Sequence, residues 1–206
     1  MSKIDYKKEL KHLYKPSAKK IEIVNVPSMN FLMIDGAGDP NTSQEFQEGI
    51  EALFGVSYTL KFMIKKGAFA VDYGVLPLEG LWWADDMGQF SIQDKSNWQW
   101  TVMTMQPEQY ITVNLVQEAI VQVDKKKGLA ALSKLRFERF EEGLAAQVMH
   151  IGPFSEEGPT IEKLHDFIEE QGYQRSGRHH EIYLSDFRRT APEKLKTIIR
   201  QPMRKV

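Results

Sequence analysis

Residues 145–172 read AAQVMHIGPFSEEGPTIEKLHDFIEEQG, and HEIYL follows at 180–184. Ala145 to Ile151 predicts a strand, and Gly152-Pro153-Phe154 a turn. Gly158-Pro159 opens a helix with Ile161, Leu164 and Ile168 on one face, the three-and-four spacing of an amphipathic helix. Gln171-Gly172 ends it, and His180 to Leu184 returns as a strand. The same order occurs earlier in the chain. Ile21 to Val26 and Phe31 to Ile34 predict strand, and Asp35 to Pro40 a turn. Thr42 stands three residues before Glu45, a capping-box spacing, and Phe46, Ile50, Leu53, Phe54, Ser57 and Leu60 follow at helical spacing over 42–64.

Between the two copies, Phe69 to Leu76 and Trp98 to Met103 predict strands, with a turn over Asp85-Asp86-Met87-Gly88. Residues 107–126 predict a helix with Pro107 in its first turn and Val113, Val116, Ile120 and Val123 in one stripe. Lys125 to Lys127 and Gly128 close it, and a short helix over 129–135 follows. Thr190-Ala191-Pro192-Glu193 predicts one more helix start, for a helix carrying Leu195, Ile198 and Ile199. The expected architecture is one curved antiparallel sheet, with helices on one face and a concave cleft on the other, between two similar halves. Two separate domains are the weaker alternative, because no Ser/Gly/Pro linker divides the halves.

Composition narrows the function classes. The 206 residues are 42% hydrophobic, 27% charged and 11% aromatic, a globular balance with room for a sizeable core. The net charge of -1 provides no general field for nucleic acid or an anionic membrane. The absence of cysteine excludes disulfides, thiolate metal sites and a cysteine nucleophile. A polar start without an apolar h-region and the lack of a long apolar run point to a cytoplasmic protein. Residues 1–20 form a basic, Tyr-containing leader, read either as a nucleic-acid arm or, preferred because acidic residues elsewhere balance its charge, as a solvated segment whose tyrosines pack on the domain of residues 21–206.

Two groups of residues stand out as chemistry. Trp82, Trp83, Trp98 and Trp100 all lie within 82–100, and they fit either core or a wall for a flat aromatic ligand. In His179-His180-Glu181-Ile182-Tyr183-Leu184, strand alternation puts His179, Glu181 and Tyr183 on one face and His180, Ile182 and Leu184 on the other. If the aliphatic side faces the helices, Glu181 and Tyr183 share the concave face, where a carboxylate is costly unless paired, hydrated or used. Tyr73 is either core or a hydroxyl reaching the cleft. Adjacent His179 and His180 face opposite ways, so no metal site is expected. Neither a dinucleotide fingerprint, a P-loop nor a GxSxG elbow is present.

The segment HHEIYLSDFRRTAPEKLKTIIRQPM at 179–203, with Gly152-Pro153-Phe154, Gly158-Pro159-Thr160 and Leu81-Trp82-Trp83, resembles stand-alone members of the GyrI-like small-molecule-binding family. The resemblance implies an α+β fold of duplicated βαββ halves around an aromatic-lined cleft. It implies flat apolar or cationic small molecules as partners, with no cofactor, no direct nucleic acid and no membrane. Gyrase is a subordinate alternative partner. Some stand-alone relatives hydrolyse cyclopropane-bearing, DNA-alkylating natural products, and others bind drugs without chemistry. The family's cleft glutamate corresponds to Glu181. For a hydrolytic role, the sequence offers Tyr183 or Tyr73 to donate a hydrogen bond to Glu181, to the water or to the carbonyl, without choosing between them. The aromatic walls correspond to Trp82, Trp83, Trp98, Trp100, Tyr73 and Phe154.

Overall fold

The computed structural model describes residues 3–85 and 95–206, so the expected turn over 85–88 lies outside the described residues from 86 onward. In chain order the elements are β1 (Lys3–Ile4), α1 (Tyr6–Glu9), α2 (Lys11–Tyr14), β2 (Glu22–Val26), β3 (Met29–Ala37), α3 (Gln44–Lys66), β4 (Asp72–Tyr73) and β5 (Leu78–Trp83). Then come β6 (Gln99–Gln106), α4 (Val113–Lys127), β7 (Arg136–Phe140), β8 (Gly143–Ile151), α5 (Gly158–Glu170), β9 (Tyr173–Arg175), β10 (His179–Tyr183) and β11 (Lys196–Lys205).

The chain divides into two compact units, each assembled from separated segments. One comprises residues 1–6 and 29–140, the other residues 7–28 and 141–206. The first unit has antiparallel strands in the order β5-β6-β3-β7 and a small parallel pair, β1 with β4. Helix α3 lies on one face of its sheet. Ser57 and Thr104 share a hydrogen bond of 3.0 Å there, and Phe46 meets the Trp100 ring. Ser43 caps α3 by accepting from the Phe46 amide, which satisfies a donor the first turn leaves free. Helix α4 packs along α3 and stops at Gly128, whose φ of 59° is the left-handed conformation glycine adopts without a Cβ clash.

The second unit orders its antiparallel strands β2-β8-β11-β10, with β9 on the far end of β11. Leu164 and Ile168 of α5 bury against Ala146, Val148, Ile199 and Met203. Opposite residues of an antiparallel pair share a face, so Gln147, Met149, Ile198 and Arg200 point away from α5. Residues 12–13 bind that second side, and Ser17 meets the β8 backbone in the sheet plane. Arg200 donates to the Leu13 carbonyl at 2.8 Å, Gln147 to the His12 carbonyl at 2.6 Å, and the Met149 amide to the Ser17 carbonyl at 3.0 Å. Leu13 and Tyr14 are buried.

These observations correct the expected shape. Among the described residues the strand orders are open paths, no sheet curls or closes, and the pairing is mixed rather than all antiparallel, β1 running parallel to β4. The fold is α+β, without the expected curved antiparallel sheet and concave, helix-free cleft face. Alternation tells which side chains share a face, but not which face a helix covers. In the second unit, the chain start occupies the side expected to be open.

Four local expectations also change. The strand over 69–76 shrinks to Asp72–Tyr73, after Ala70 turns the chain at φ 48°. The helix expected from 107 begins at Val113, because the Tyr110 and Ile111 amides bond Pro107 in a turn and Thr112 caps from an extended conformation. Arg136–Phe140 is an unforeseen strand. The helix expected after Thr190 is one 3-10 turn, Pro192–Lys194, and Leu195, Ile198 and Ile199 enter the strand region instead. Its Thr197-Ile198-Ile199 run is β-branched and lies between β8 and β10, so sheet packing prevails over the capping pattern.

Candidate functional site

The candidate acid is on β10. Glu181 is opposite Ile199, and Ile199 is opposite Val148, which packs on α5. Glu181, His179 and Tyr183 therefore point to the α5 side of their sheet. This reverses the expectation of a helix-free face. Ile182 points the other way and is buried there.

Both Glu181 oxygens are engaged within β10. The Tyr183 hydroxyl donates to Oε2 at 2.7 Å, and His179 Nε2 is 3.1 Å from Oε1. Residues two apart on a strand share a face, so these contacts need no unusual backbone. Phe154 meets the Tyr183 ring edge-on at 5.7 Å and the Phe187 ring at 6.2 Å. The structure thus brings Glu181, Tyr183 and Phe154 together and adds His179, which the sequence reading left without a role.

A second histidine lies behind this group. Arg175 Nη1 donates to His165 Nδ1 at 3.0 Å, which leaves any ring proton on Nε2. That Nε2 is buried without a hydrogen-bond partner among the described residues. Burial first, then the charges of Arg175 and His179, lower the His165 pKa to about 4, against a smaller opposing pull from Asp166. His165 is therefore neutral near pH 7.

The tryptophans belong to the first unit. Trp82 is opposite Trp100 across β5 and β6, on the side that α3 covers. Phe46 is 5.7 Å from the Trp82 ring and 5.2 Å from Trp100, and Trp82 is 5.4 Å from Trp98. Lys95 sits over the Trp98 ring at 4.7 Å. These rings form a buried aromatic cluster, with Trp100 0% exposed. Trp83 is opposite Gln99 on the other face and is half-buried. Tyr73 is also buried, with the Tyr6 ring edge-on at 6.2 Å and no hydrogen-bond partner for its hydroxyl among the described residues. Burial, with a smaller contribution from Tyr6, holds that hydroxyl well above the ordinary phenol range, so it stays protonated.

The sequence reading also missed Glu79. It is 1% exposed on β5, on the face of Leu81 and Trp83. A carboxylate inside the apolar run 77–83 was the available signal. Among the described residues no group of histidines and carboxylates has metal-binding geometry, and no helix is long and apolar enough to cross a membrane.

Comparison with known proteins gives this geometry a context. The description of a GyrI-like small molecule binding domain matches residues 19–204. An uncharacterised conserved protein from Listeria innocua is 41% identical, with a TM-score of 0.90 over 98% of this chain and 100% of its own. A hydrolase from Listeria innocua is 42% identical, with a TM-score of 0.88 and the same coverage. The C-terminal domain of EcmrR, 13% identical with a TM-score of 0.55, covers 91% of this chain and 98% of its own, a likeness of fold alone. No curated protein matches the chain.

Proposed function

Because this chain belongs to the GyrI-like small-molecule-binding family, we propose that it is a hydrolase that opens the cyclopropane ring of DNA-alkylating natural products. The observation that carries the proposal is Glu181, held at both oxygens by Tyr183 and His179 on a strand rather than a loop. The 42% identity to a Listeria innocua hydrolase supports chemistry over binding alone.

A cyclopropane conjugated to a carbonyl is a strained electrophile. Glu181 orients a water and accepts its proton while the water oxygen bonds to a ring carbon. The strained carbon–carbon bond breaks, its electron pair moves through the conjugated system to the carbonyl oxygen, and that oxygen takes up a proton. Water is the only co-reactant. The Tyr183 and His179 contacts hold the carboxylate in a fixed orientation for that proton transfer. Phe154, against Tyr183, acts as the aromatic wall beside Glu181. In the first unit, the Trp82, Trp98 and Trp100 cluster, Trp83 on the opposite face and the protonated Tyr73 are that unit's own candidates for holding a flat ligand. Residues 21–206 serve as the binding domain, and the basic segment at 7–20 packs within its second unit. Interception before a reactive compound reaches DNA places the work in the cytoplasm.

The aromatic cluster favours one second reading, sequestration of flat apolar or cationic drugs without turnover. Mass spectrometry on a panel of reactive cyclopropane-bearing compounds separates the two. Addition of one water supports hydrolysis, and tight binding with compound recovered unchanged supports sequestration. Glu181→Gln keeps the shape and removes the base, so turnover drops by about 10²–10⁴-fold while binding of a neutral substrate survives. Full rates in that variant remove Glu181 from the mechanism.

A further inference from the structure

We infer that the outer face of α3 is the contact surface of a two-fold dimer, its occupant a second copy of this chain. Around α3, successive residues advance about 100°. Glu51, Phe54, Tyr58, Phe62 and Lys65 therefore form one narrow stripe along the helix. The side of α3 that carries Phe46 and Ser57 faces the sheet, and this stripe does not. Tyr58 is 49% exposed, Phe62 46%, and Phe54 half-buried. The Phe54 and Tyr58 rings touch at 6.3 Å, and the Nζ atoms of Lys61 and Lys66 stand 5.6 and 6.0 Å from the Phe62 ring centre. One exposed aromatic on a helix is ordinary, but two exposed and one half-buried in consecutive turns make a continuous apolar ridge.

The stripe is self-complementary when reversed. Phe54 and Phe62 are equidistant from Tyr58 along the helix, and so are Glu51 and Lys65. A two-fold axis at Tyr58, with the second α3 antiparallel, packs Tyr58 on its own copy and Phe54 on Phe62. It also sets each Glu51 beside a Lys65. A two-fold interface requires this relation, in which residue i meets j and j meets i. Within one chain, Glu51 pairs with Lys127 and Lys65 with Asp72, each at 2.8 Å. The Glu51 and Lys65 side chains remain 52% and 43% exposed, so both charges stay accessible.

Sedimentation equilibrium over a range of protein concentrations tests the interface. The expected result is a reversible rise from the mass of one chain to twice that mass. Phe62→Glu should stay monomeric throughout. Glu51→Lys should weaken the dimer by roughly tenfold, since symmetry makes the substitution count twice. Adding Lys65→Glu to it should restore association, because the reversed charges again face each other. The charge swap alters only exposed side chains, so it decides the matter even if Phe62→Glu fails to fold. A wild-type chain that remains a monomer overturns the inference, as does a dimer indifferent to Phe62→Glu, or a double swap no tighter than the single one.

Discussion

Glu181 shows how much chemistry period-two alternation places at one spot. The sequence alone set His179, Glu181 and Tyr183 on one face, and the structure joins all three through the carboxylate. The sequence could not show which face that was. Ile182 and Leu184 looked like the helix-facing pair, yet Ile182 lies on the side of Leu13 and Tyr14, and Glu181 on the side of α5. Glu79 stayed hidden for a related reason, since a lone acid in an apolar run reads as a strand end until its burial is seen. His179 meets the proposed base through Oε1 and is argued to act through it, so it is a positioning residue. A hydrogen bond to a charged group contributes about 1.5–3 kcal/mol, and loss of part of that lowers turnover by roughly tenfold. We expect His179→Ala to reduce kcat with KM little changed, and His179→Gln, whose amide can still donate to Glu181, to recover most of it. Steady-state kinetics on a cyclopropane substrate decides this. Equal damage from both variants assigns His179 to packing alone.

At the level of elements, helices were more legible than strands. Residues 42–64 and 158–171 were expected as helices, and α3 and α5 occupy Gln44–Lys66 and Gly158–Glu170. Their apolar stripes repeat over several turns, which few other conformations satisfy. Strands β7 and β11 were missed because their sequences, RFERF and KTIIRQPMRK, owe their conformation to neighbours distant in sequence. The pairing of β3 with β6 carries a testable constraint of this kind. Gly36 is opposite Trp100, and a Cβ at Gly36 would come within 2.2 Å of the indole ring. That ring is enclosed by Phe46 and fully buried, so it has little room to move. Gly36→Ala should cost about 1–3 kcal/mol by overpacking, as a lower denaturation midpoint with unchanged slope. An unaltered midpoint means the aromatic cluster is loose enough to shift, and the same looseness would admit a flat ligand.

At the scale of the whole molecule, acid stability depends on charges buried in the second unit. Glu142 accepts from Arg200 Nη1 at 3.0 Å and lies 2.9 Å from His180 Nδ1, with its side chain 1% exposed. Arg200 also donates to Gln147 and to the Leu13 carbonyl, so this pair ties the start of the chain to β8 and β11. Burial pushes the Glu142 pKa up, but the charges of His180 and Arg200 outweigh it and bring the value down to about 2 from 4.5. A carboxylate whose pKa is depressed by folding stabilises the native state above its unfolded pKa. That contribution declines as pH falls from about 4.5 and is gone below about 2. His165 acts at higher pH. Its pKa falls from 6.5 to about 4 on folding, so the unfolded chain binds a proton that the native state refuses, and stability declines as pH falls from 6.5 towards 4. Urea unfolding at successive pH values should therefore show two descending legs. His165→Gln should flatten the upper leg and leave the lower one. Glu142→Gln should flatten the lower leg but lose about 3–5 kcal/mol at neutral pH, because Arg200 is left buried without its counter-charge. If Glu142→Gln is as stable as wild type at neutral pH, the ion pair does not hold residues 12–13 in place. Leu13 and Tyr14 would then do so through apolar burial alone.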